Sequence, residues 1–480
     1  MKIRYFSLIA LLLVISLNSC EQTTIERPGP KNIIIMIADG AGYDHIQIAN
    51  LYEEGKTEAQ PYEQFPVRYF VSTYPALAGD YYDALENHAN SGYSPYETWH
   101  DFDWRRHGFT GSGAASTAMA TGMKTYNGAI GVNITGQPLL NITERAKDMG
   151  KSAGVVSSVQ FAHATAAAFS VHNTDRDNYP EIARDMLIKS RLDVIMGCGH
   201  PYYDNDGKIR QNALSFKYVG DSLLWSEIHA GKARVRRGSG IEVDLADVNG
   251  DGQPDAWELI DNIEEFENLA QGETPLRALG VAPNIYTLQQ ARGDSIAGMM
   301  NAYDYPFIEK MPSLETMTAG ALNVLDNNNS GFFLLIEGGA IDWASHSNQK
   351  GRLIEEMSEF NKAVRRVIDW IETSSGWDET LLIVTADHET GYVAGPDSGG
   401  DPPQWFPPLN NGRGNMPGFD FHSTDHTNAL VPLYAKGKGS ELFAEYADEY
   451  DPVRGEFITN SEIGQLLFRL FGRGKALRDK

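Results

Sequence analysis

The sequence predicts an α/β fold in which helices cover both faces of a central, mostly parallel β-sheet, giving a three-layer α/β/α sandwich. Three short runs of branched apolar residues support it: NIIIMI before Asp39, GFFLLI before Glu337 and LLIVTA before Asp387. Such runs are typical of strands that are buried on both faces. Between the last two runs, apolar residues recur at three- and four-residue steps over 353–371, which predicts a helix and hence a βαβ unit over 331–385.

Further strand candidates alternate with helical patterns along the rest of the chain. They are AGVVSSV at 153–159, LDVIMG at 192–197 and ALVPLYA at 429–435. With 480 residues, 42% of them hydrophobic, the chain can bury a large core, and we predict one catalytic domain over residues 31–480. The polar, acidic segment at about 200–300 is predicted to be an insertion on that domain.

The first twenty residues, MKIRYFSLIALLLVISLNSC, have the features of a secretory signal: two basic residues, an apolar stretch and a small residue near the end. The apolar stretch is too short to span a membrane as a helix. The ending LNSC resembles the lipobox of bacterial lipoproteins, in which the cysteine is acylated, although Asn18 is unusual there. We therefore predict a lipoprotein signal peptide over 1–20, lipidation at Cys20, and export to the periplasm or cell surface. An ordinary signal peptide is the alternative.

Charge and cysteine content narrow the classes of function. The formal net charge is −24, and removal of the signal peptide would take away Lys2 and Arg4 as well. So acidic a protein is not expected to bind nucleic acid, and we expect it to touch the membrane only through the anchor at Cys20. Cys198 would be the single cysteine of the mature chain, so no intramolecular disulfide is expected.

Acidic and histidine side chains fall in four clusters, most of them just beyond a predicted strand. The clusters are Asp39, then Glu337 with Asp342 and His346, then Asp387 with His388, and finally His426. In an open parallel sheet the ligand crevice lies outside the carboxyl ends of the strands, where these side chains would project. The pattern therefore predicts a multi-metal site, and the chain is expected to be an enzyme.

A run of small residues from Thr110 to Ala118 is predicted to open a helix that ends at Gly122. A hydroxyl at such a helix start lets a phosphate approach the backbone N–H groups and the positive end of the helix dipole. Serine also caps helices, so this pattern alone does not identify a nucleophile.

Taken together, these segments resemble the alkaline phosphatase family, and in particular its bacterial, lipoprotein-type members. Six motifs follow the family pattern in order over about residues 31–437: the serine segment 112–117, ATGMKTYNGAIGV, AHAT at 162–165, EGGAIDWASH at 337–346, TADHETG at 385–391 and the pair His426–Thr427. In one departure, Gly111 stands where the family has an aspartate before the nucleophile.

The resemblance implies hydrolysis of small phosphate monoesters through a phosphoserine, with Ser112 as nucleophile and Arg176 as the phosphate clamp. It assigns Asp342, His346 and His426 to one zinc ion and Asp39, Asp387 and His388 to a second. It also assigns Asp39, Thr165 and Glu337 to a Mg²⁺ site, with His163 beside it. An imidazole there shifts the preference of this third site toward zinc or cobalt. Relatives are often homodimers, which is the expectation for this chain.

The Gly111 departure leaves the orientation of Arg176 open, and Asp175 is one residue that could replace the missing acid. Two other functions are alternatives. One is a phosphodiesterase of the same superfamily, which Thr165, Glu337 and Arg176 disfavour. The other is a non-catalytic, calcium-dependent surface binding protein, which the complete set of metal ligands disfavours.

A second metal motif lies in the predicted insertion, where residues 247–258 match the twelve-residue calcium loop. Its ligand positions are Asp247, Asn249, Asp251, Gln253, Asp255 and Glu258, with Gly252 at the sharp turn. IEVDLA before it is predicted to be a strand and 257–269 a helix, so this would be an isolated structural Ca²⁺ loop. An acidic turn without an ion is the alternative.

Overall fold

The computed structural model describes residues 29–77, 92–237, 240–293 and 299–472. The predicted signal peptide and Cys20 lie outside these residues. Within the parts of the chain that are described, no helix combines the length and the apolar character needed to cross a bilayer.

Strands and helices alternate along the chain. The strands are β1 Asn32–Ala38, β2 Val67–Ser72, β3 Ser152–Gln160, β4 Val194–Cys198, β5 Arg234–Arg237, β6 Ile241–Asp244, β7 Glu258–Ile260, β8 Ala278–Val281, β9 Phe332–Gly338, β10 Thr380–Thr385, β11 Glu389–Thr390, β12 Val393–Ala394, β13 Asp420–Phe421, β14 His426–Thr427, β15 Val431–Gly437, β16 Glu449–Asp451 and β17 Gly455–Thr459. The α-helices are α1 Tyr43–Glu54, α2 Glu97–His100, α3 Ser112–Thr121, α4 Ile142–Asp148, α5 Ala164–Ala168, α6 Tyr179–Ile188, α7 Ser222–His229, α8 Ile263–Gln271, α9 Leu314–Leu325, α10 Ala340–His346, α11 Lys350–Trp370 and α12 Asn460–Leu470.

Eleven strands form one central sheet in the order β16-β17-β2-β15-β10-β1-β9-β3-β4-β8-β7. Neighbouring strands from β10 through β7 are all parallel, and antiparallel pairs occur only where β15 and β16 join their neighbours. Two sets of helices flank the sheet, one built around α8, α9 and α11 and the other around α3, α4, α5 and α12. The predicted α/β fold with a mostly parallel sheet is confirmed.

The three apolar runs that predict the sheet form its centre. Strand β1 lies between β9 and β10 and is parallel to both. The two strands of the predicted βαβ unit, β9 and β10, are therefore separated in the sheet by β1. Every residue of β1 and β9 is buried, as expected for strands covered on both faces. The predicted helix starts slightly earlier than expected, at Lys350, and continues beyond Trp370 as a short π-helical turn.

The segment at about 200–300 is less separate from the sheet than the sequence pattern indicates. Strand β8 pairs in parallel with β4, and β7 pairs with β8 at the end of the sheet. The prediction of a helix starting at residue 257 is wrong, because Glu258–Ile260 first adds to the sheet edge. Helix α8 then begins at Ile263, where the side chain of Asn262 accepts a hydrogen bond from the Glu265 N–H.

Candidate metal centre and nucleophile

Three carboxylates meet at the carboxyl end of the central strands. Asp39 follows β1 directly, Glu337 lies near the end of β9, and Asp387 comes two residues after β10. Because Ile37 of β1 is opposite Glu337 on one side and Thr385 on the other, the register brings the three acids to one place. All three are buried, so they are withdrawn from water in the crevice that the fold predicts.

The first group of ligand atoms consists of Asp342, His346 and His426. Asp342 and His346 are four residues apart on α10 and therefore share one face of that helix. The Nε2 atoms of His346 and His426 are 3.0 Å apart, and Asp342 Oδ1 lies 3.4 Å from each. The Nδ1 atoms donate to the backbone oxygens of Thr424 and Thr110 at 2.6 and 2.7 Å, and these bonds turn both Nε2 atoms toward each other and toward Asp342. Two imidazole nitrogens and a carboxylate oxygen this close together form a ligand set that suits Zn²⁺.

The second group surrounds His388, which is fully buried. Its Nε2 atom lies 3.2 Å from Asp387 Oδ2, 3.7 Å from Asp39 Oδ1 and 3.2 Å from the hydroxyl of Ser112. Ligand atoms of Asp39, Asp342 and His388 lie within 4.8 Å of one another. Asp342 thus contributes to both groups, whereas the family resemblance assigns it to the first alone.

Several buried oxygens at this sheet edge have no hydrogen-bond partner among the described residues. They are both carboxylate oxygens of Asp39, both of Glu337, Asp387 Oδ2 and Thr165 Oγ1. A buried polar atom without a partner is costly and rare in folded proteins, above all when it carries charge. The oxygens are of the type that Mg²⁺ and Zn²⁺ bind, and the histidine nitrogens suit Zn²⁺. The side chains therefore fit a group of divalent cations.

The pKa values of these groups also indicate that the site lacks positive charge to balance its carboxylates. Burial raises the pKa of Asp39 well above its usual value, and the neighbouring Asp387, Asp342 and Glu337 raise it further. Burial likewise raises the pKa of Glu337 to about 7 and that of Asp387 to about 6. Burial, followed by the charge of His426, lowers the pKa of His388 well below its usual value, so its imidazole is neutral and can act as a ligand.

Ser112 is the first residue of α3, and its hydroxyl points toward the second group. Helix α3 ends at Gly122 in a left-handed conformation with φ of 77°, as predicted. Small residues are required here, because a Cβ atom at Gly113 would lie 2.8 Å from the backbone oxygen of Ala129. The close packing places the Ser112 hydroxyl at a helix N-terminus beside His388.

Arg176 lies near Ser112 without an ion pair to a carboxylate among the described residues. Its Nη2 atom is 3.5 Å from His163 Nε2, and its backbone N–H donates to the Gly128 oxygen at 2.9 Å. A Cβ atom at Gly111 would lie 3.7 Å from Arg176 Nη1, so an acid at that position could have reached it. Among the described residues Asp175 makes no ion pair with Arg176, and its Oδ1 accepts a hydrogen bond from the Asp177 N–H instead.

The third predicted site lies between the start of α5 and the ends of β1 and β9. His163 is the residue before α5 and Thr165 lies within it, and His163 Nδ1 and Thr165 Oγ1 are buried without partners. Burial and the charge of Arg176 lower the pKa of His163 to about 3, so the ring is neutral. Within the described parts of the chain, however, His163 does not join Glu337 and Asp39 in a compact group of ligand atoms.

The predicted calcium loop forms a tight turn, but its acids are not gathered around one point. The carboxylate of Asp247 accepts N–H bonds from Gly250 and Gly252 at 2.6 and 2.8 Å. Asp255 accepts one from Val248, and Glu258 begins β7. Among the described residues, three acids or histidines whose ligand atoms lie within 4.8 Å of one another are found in the two groups at the sheet edge and not in this loop.

Sequence reasoning missed one residue that contacts both groups, Thr390. Its hydroxyl lies 2.6 Å from Asp342 Oδ1 and 3.2 Å from His388 Nδ1. The signal available in the sequence was its position two residues after His388, because side chains at i and i+2 of an extended segment lie on the same side.

Comparison with known proteins gives a consistent result along most of the chain. The family model described as "Alkaline phosphatase" matches residues 30–449. Alkaline phosphatase 4 of Bacillus subtilis is 27% identical over 429 residues, covering 76% of this chain and 77% of the relative. The alkaline phosphatase of Escherichia coli K12 is 25% identical over 455 residues, covering 88% of this chain and 84% of the relative. The solved cold-active alkaline phosphatase of Shewanella sp. superposes with a TM-score of 0.61 at 24% identity, covering 92% of this chain and 99% of that one.

Proposed function

Because the chain belongs to the alkaline phosphatase family, we propose that it hydrolyses small phosphate monoesters at the sheet edge, with Ser112 as the nucleophile. The observation that carries this proposal is the position of the Ser112 hydroxyl, 3.2 Å from His388 Nε2 and next to the group of Asp342, His346 and His426. A hydroxyl beside two sets of cation ligands has the arrangement that phosphoryl transfer requires.

Alkaline phosphatases use divalent metal ions, and we propose two Zn²⁺ ions for this chain. The first would be held by Asp342, His346 and His426, and the second by Asp39, Asp387 and His388, with Asp342 close to both. For the third ion we propose Mg²⁺ at Asp39, Thr165 and Glu337, with Zn²⁺ or Co²⁺ as the alternative because His163 is adjacent. When bound, these ions lower the pKa of a nearby hydroxyl or water and neutralise the oxygen of the departing alcohol.

The protein residues then have the following roles. The Ser112 hydroxyl loses its proton as its oxygen attacks phosphorus, the bond from phosphorus to the ester oxygen breaks, and the departing oxygen takes up one proton and leaves as the alcohol. Water next attacks the phosphoserine and releases inorganic phosphate, which restores the Ser112 hydroxyl. Arg176, free of any carboxylate partner in the described residues, donates its parallel N–H groups to two non-bridging phosphate oxygens and so favours a phosphate with one ester group.

Two further assignments complete the proposal. Export to the periplasm or cell surface with a lipid on Cys20 follows from the N-terminal sequence, and a homodimer follows from the family resemblance. A structural Ca²⁺ in the 247–258 loop follows from its ligand pattern and from the turn at Gly252, which has φ of 83°. Mass spectrometry of the mature N-terminus tests the lipid, and sedimentation analysis tests the dimer.

The function is tested by comparing turnover of nitrophenyl phosphate and bis(nitrophenyl) phosphate. We expect the monoester to react faster, and Ser112→Ala to abolish turnover. Faster reaction of the bis-ester would make the protein a phosphodiesterase. Absence of turnover with either ester in the zinc-loaded protein would favour the non-catalytic binding protein, and retained turnover in Ser112→Ala would place the nucleophile elsewhere.

A further inference from the structure

Thr390 lies between the two groups of metal ligands. It ends the short strand β11, which pairs with β14, so that Thr390 is directly opposite His426. The side chain is fully buried. A hydroxyl in this position has to make its hydrogen bonds with neighbouring ligands rather than with water.

Hydrogen-bond chemistry fixes the direction of both contacts. Asp342 Oδ1, at 2.6 Å, is an acceptor, so the Thr390 O–H donates to it. The Thr390 oxygen is then free to accept, and the ring atom that faces it at 3.2 Å is His388 Nδ1. His388 therefore carries its proton on Nδ1, and its Nε2 lone pair faces Ser112, Asp39 and Asp387.

The same hydroxyl also acts on the first group. Asp342 Oδ1, which accepts from Thr390, is the oxygen that lies 3.4 Å from the Nε2 atoms of both His346 and His426. A hydrogen bond to this oxygen sets the rotation of the carboxylate and reduces its charge. One hydroxyl thus contacts a ligand from each group.

We propose that Thr390 is a positioning residue that fixes the tautomer of His388 and the orientation of Asp342, and that it thereby couples the binding of the two metal ions. This inference rests on the proposed function only in requiring that these side chains bind metal. Partners behind the ligands commonly orient them, and removing one typically costs about 10–100-fold in metal affinity.

Two substitutions separate the hydroxyl from the shape of the side chain. Thr390→Val keeps the branched shape and removes the hydroxyl, which leaves the buried Nδ1–H of His388 without its acceptor. Thr390→Ser keeps the hydroxyl and removes the methyl group. A matched control is Thr385→Val, because Thr385 is also buried and its hydroxyl donates to the backbone oxygen of Pro432 at 3.0 Å, not to a metal ligand.

The experiment measures zinc dissociation constants of the full chain by competition with a chromophoric chelator. Nitrogen-15 NMR of the metal-free protein reports the tautomer of His388 in parallel. We expect Thr390→Val to weaken both zinc sites by about 10–100-fold and to lose the protected Nδ1–H signal. Thr390→Ser and Thr385→Val should keep the parent's zinc affinities and the parent's tautomer.

Two results would overturn the inference. One is a Thr390→Val protein with unchanged zinc affinity and an unchanged Nδ1–H signal. The other is a Thr390→Ser protein as impaired as Thr390→Val, since that would assign the effect to packing of the methyl group. A parent protein that binds no zinc would instead contradict the proposed function, and the NMR measurement on the metal-free protein would still test the tautomer.

Discussion

Two regions at strand ends of this molecule are rich in carboxylates, and they differ in how those carboxylates are satisfied. At the central sheet edge, both oxygens of Asp39 and of Glu337 lack hydrogen-bond partners in the described part of the chain, and burial raises the pKa of Asp39. In the 247–258 loop, Asp247 accepts N–H bonds from Gly252 and Gly250, and these bonds lower its pKa. Unpaired, buried ligand atoms therefore distinguish an assembled metal centre from a loop that matches a metal-binding pattern.

The largest effect is expected at the central sheet edge, when its divalent ions are removed. Removal of divalent ions by a chelator should lower monoester turnover by about 10³-fold or more, because the ions supply several kcal/mol of transition-state stabilisation. Zinc, with magnesium, should restore turnover, and calcium should not. Turnover that survives exhaustive chelation, checked by metal analysis of the same sample, would contradict the assignment of the sheet edge as a metal centre.

A buried acid outside both regions shows how strongly burial can raise a pKa away from the metal ligands. Burial, with the charge of Glu355, raises the pKa of Glu356 on α11 to about 8, although its Oε1 accepts the Gln290 N–H at 2.8 Å. Between about pH 4.5 and 8, the unfolded chain has lost this proton while the folded chain keeps it, so stability falls as pH rises.

Glu356→Gln imitates the protonated acid and should remove this contribution, at most about 1.4 kcal/mol per pH unit. The measurement is the free energy of unfolding of parent and variant between pH 5 and 8, with Glu242→Gln, an exposed acid, as control. Parallel stability curves for parent and Glu356→Gln would show that the carboxyl group ionises normally.

The two regions also differ in how closely their glycines are packed. A Cβ atom at Gly113 would lie 2.8 Å from the Ala129 oxygen, whereas one at Gly252 in the acidic loop would meet nothing within 4 Å and would be disfavoured only by its φ of 83°. We expect Gly113→Ala to cost about 1–3 kcal/mol of stability and to lower turnover by displacing Ser112.

Gly252→Ala should cost about 1 kcal/mol and leave turnover unchanged. The measurements are thermal unfolding and monoester turnover of both variants. Equal turnover in both would mean that the close packing of α3 does not position the nucleophile.

The sequence alone predicts those elements of the fold that depend on local composition or on a repeating apolar pattern. The mostly apolar, fully buried strands β1 and β9 and the helix α11 follow from composition and periodicity. The placement of β1 between β9 and β10 depends on pairing between segments about 300 residues apart, and no local pattern encodes it. The same limit explains why Thr390 was missed, since its importance depends on Asp342, a residue 48 positions away. It also explains why the local pattern predicts a helix at Glu258–Ile260, since only pairing with β8 makes this segment a strand.

The last expected effect concerns the acidic loop itself. If Asp247, Asp251 and Asp255 exchange their N–H partners for a cation, millimolar Ca²⁺ should raise the unfolding free energy by about 3 kcal/mol when its concentration is 100 times the dissociation constant. Asp251→Ala should abolish the shift, because this exposed side chain is a predicted ligand whose Oδ1 otherwise only accepts the Gln253 N–H. Asp326→Ala, an exposed acid at the end of α9, serves as the control and should keep the shift. If the melting temperature of the parent does not change with Ca²⁺, the loop is an acidic turn without an ion. Of the two acidic regions, the sheet edge with its unpaired carboxylates would then be the one that binds metal.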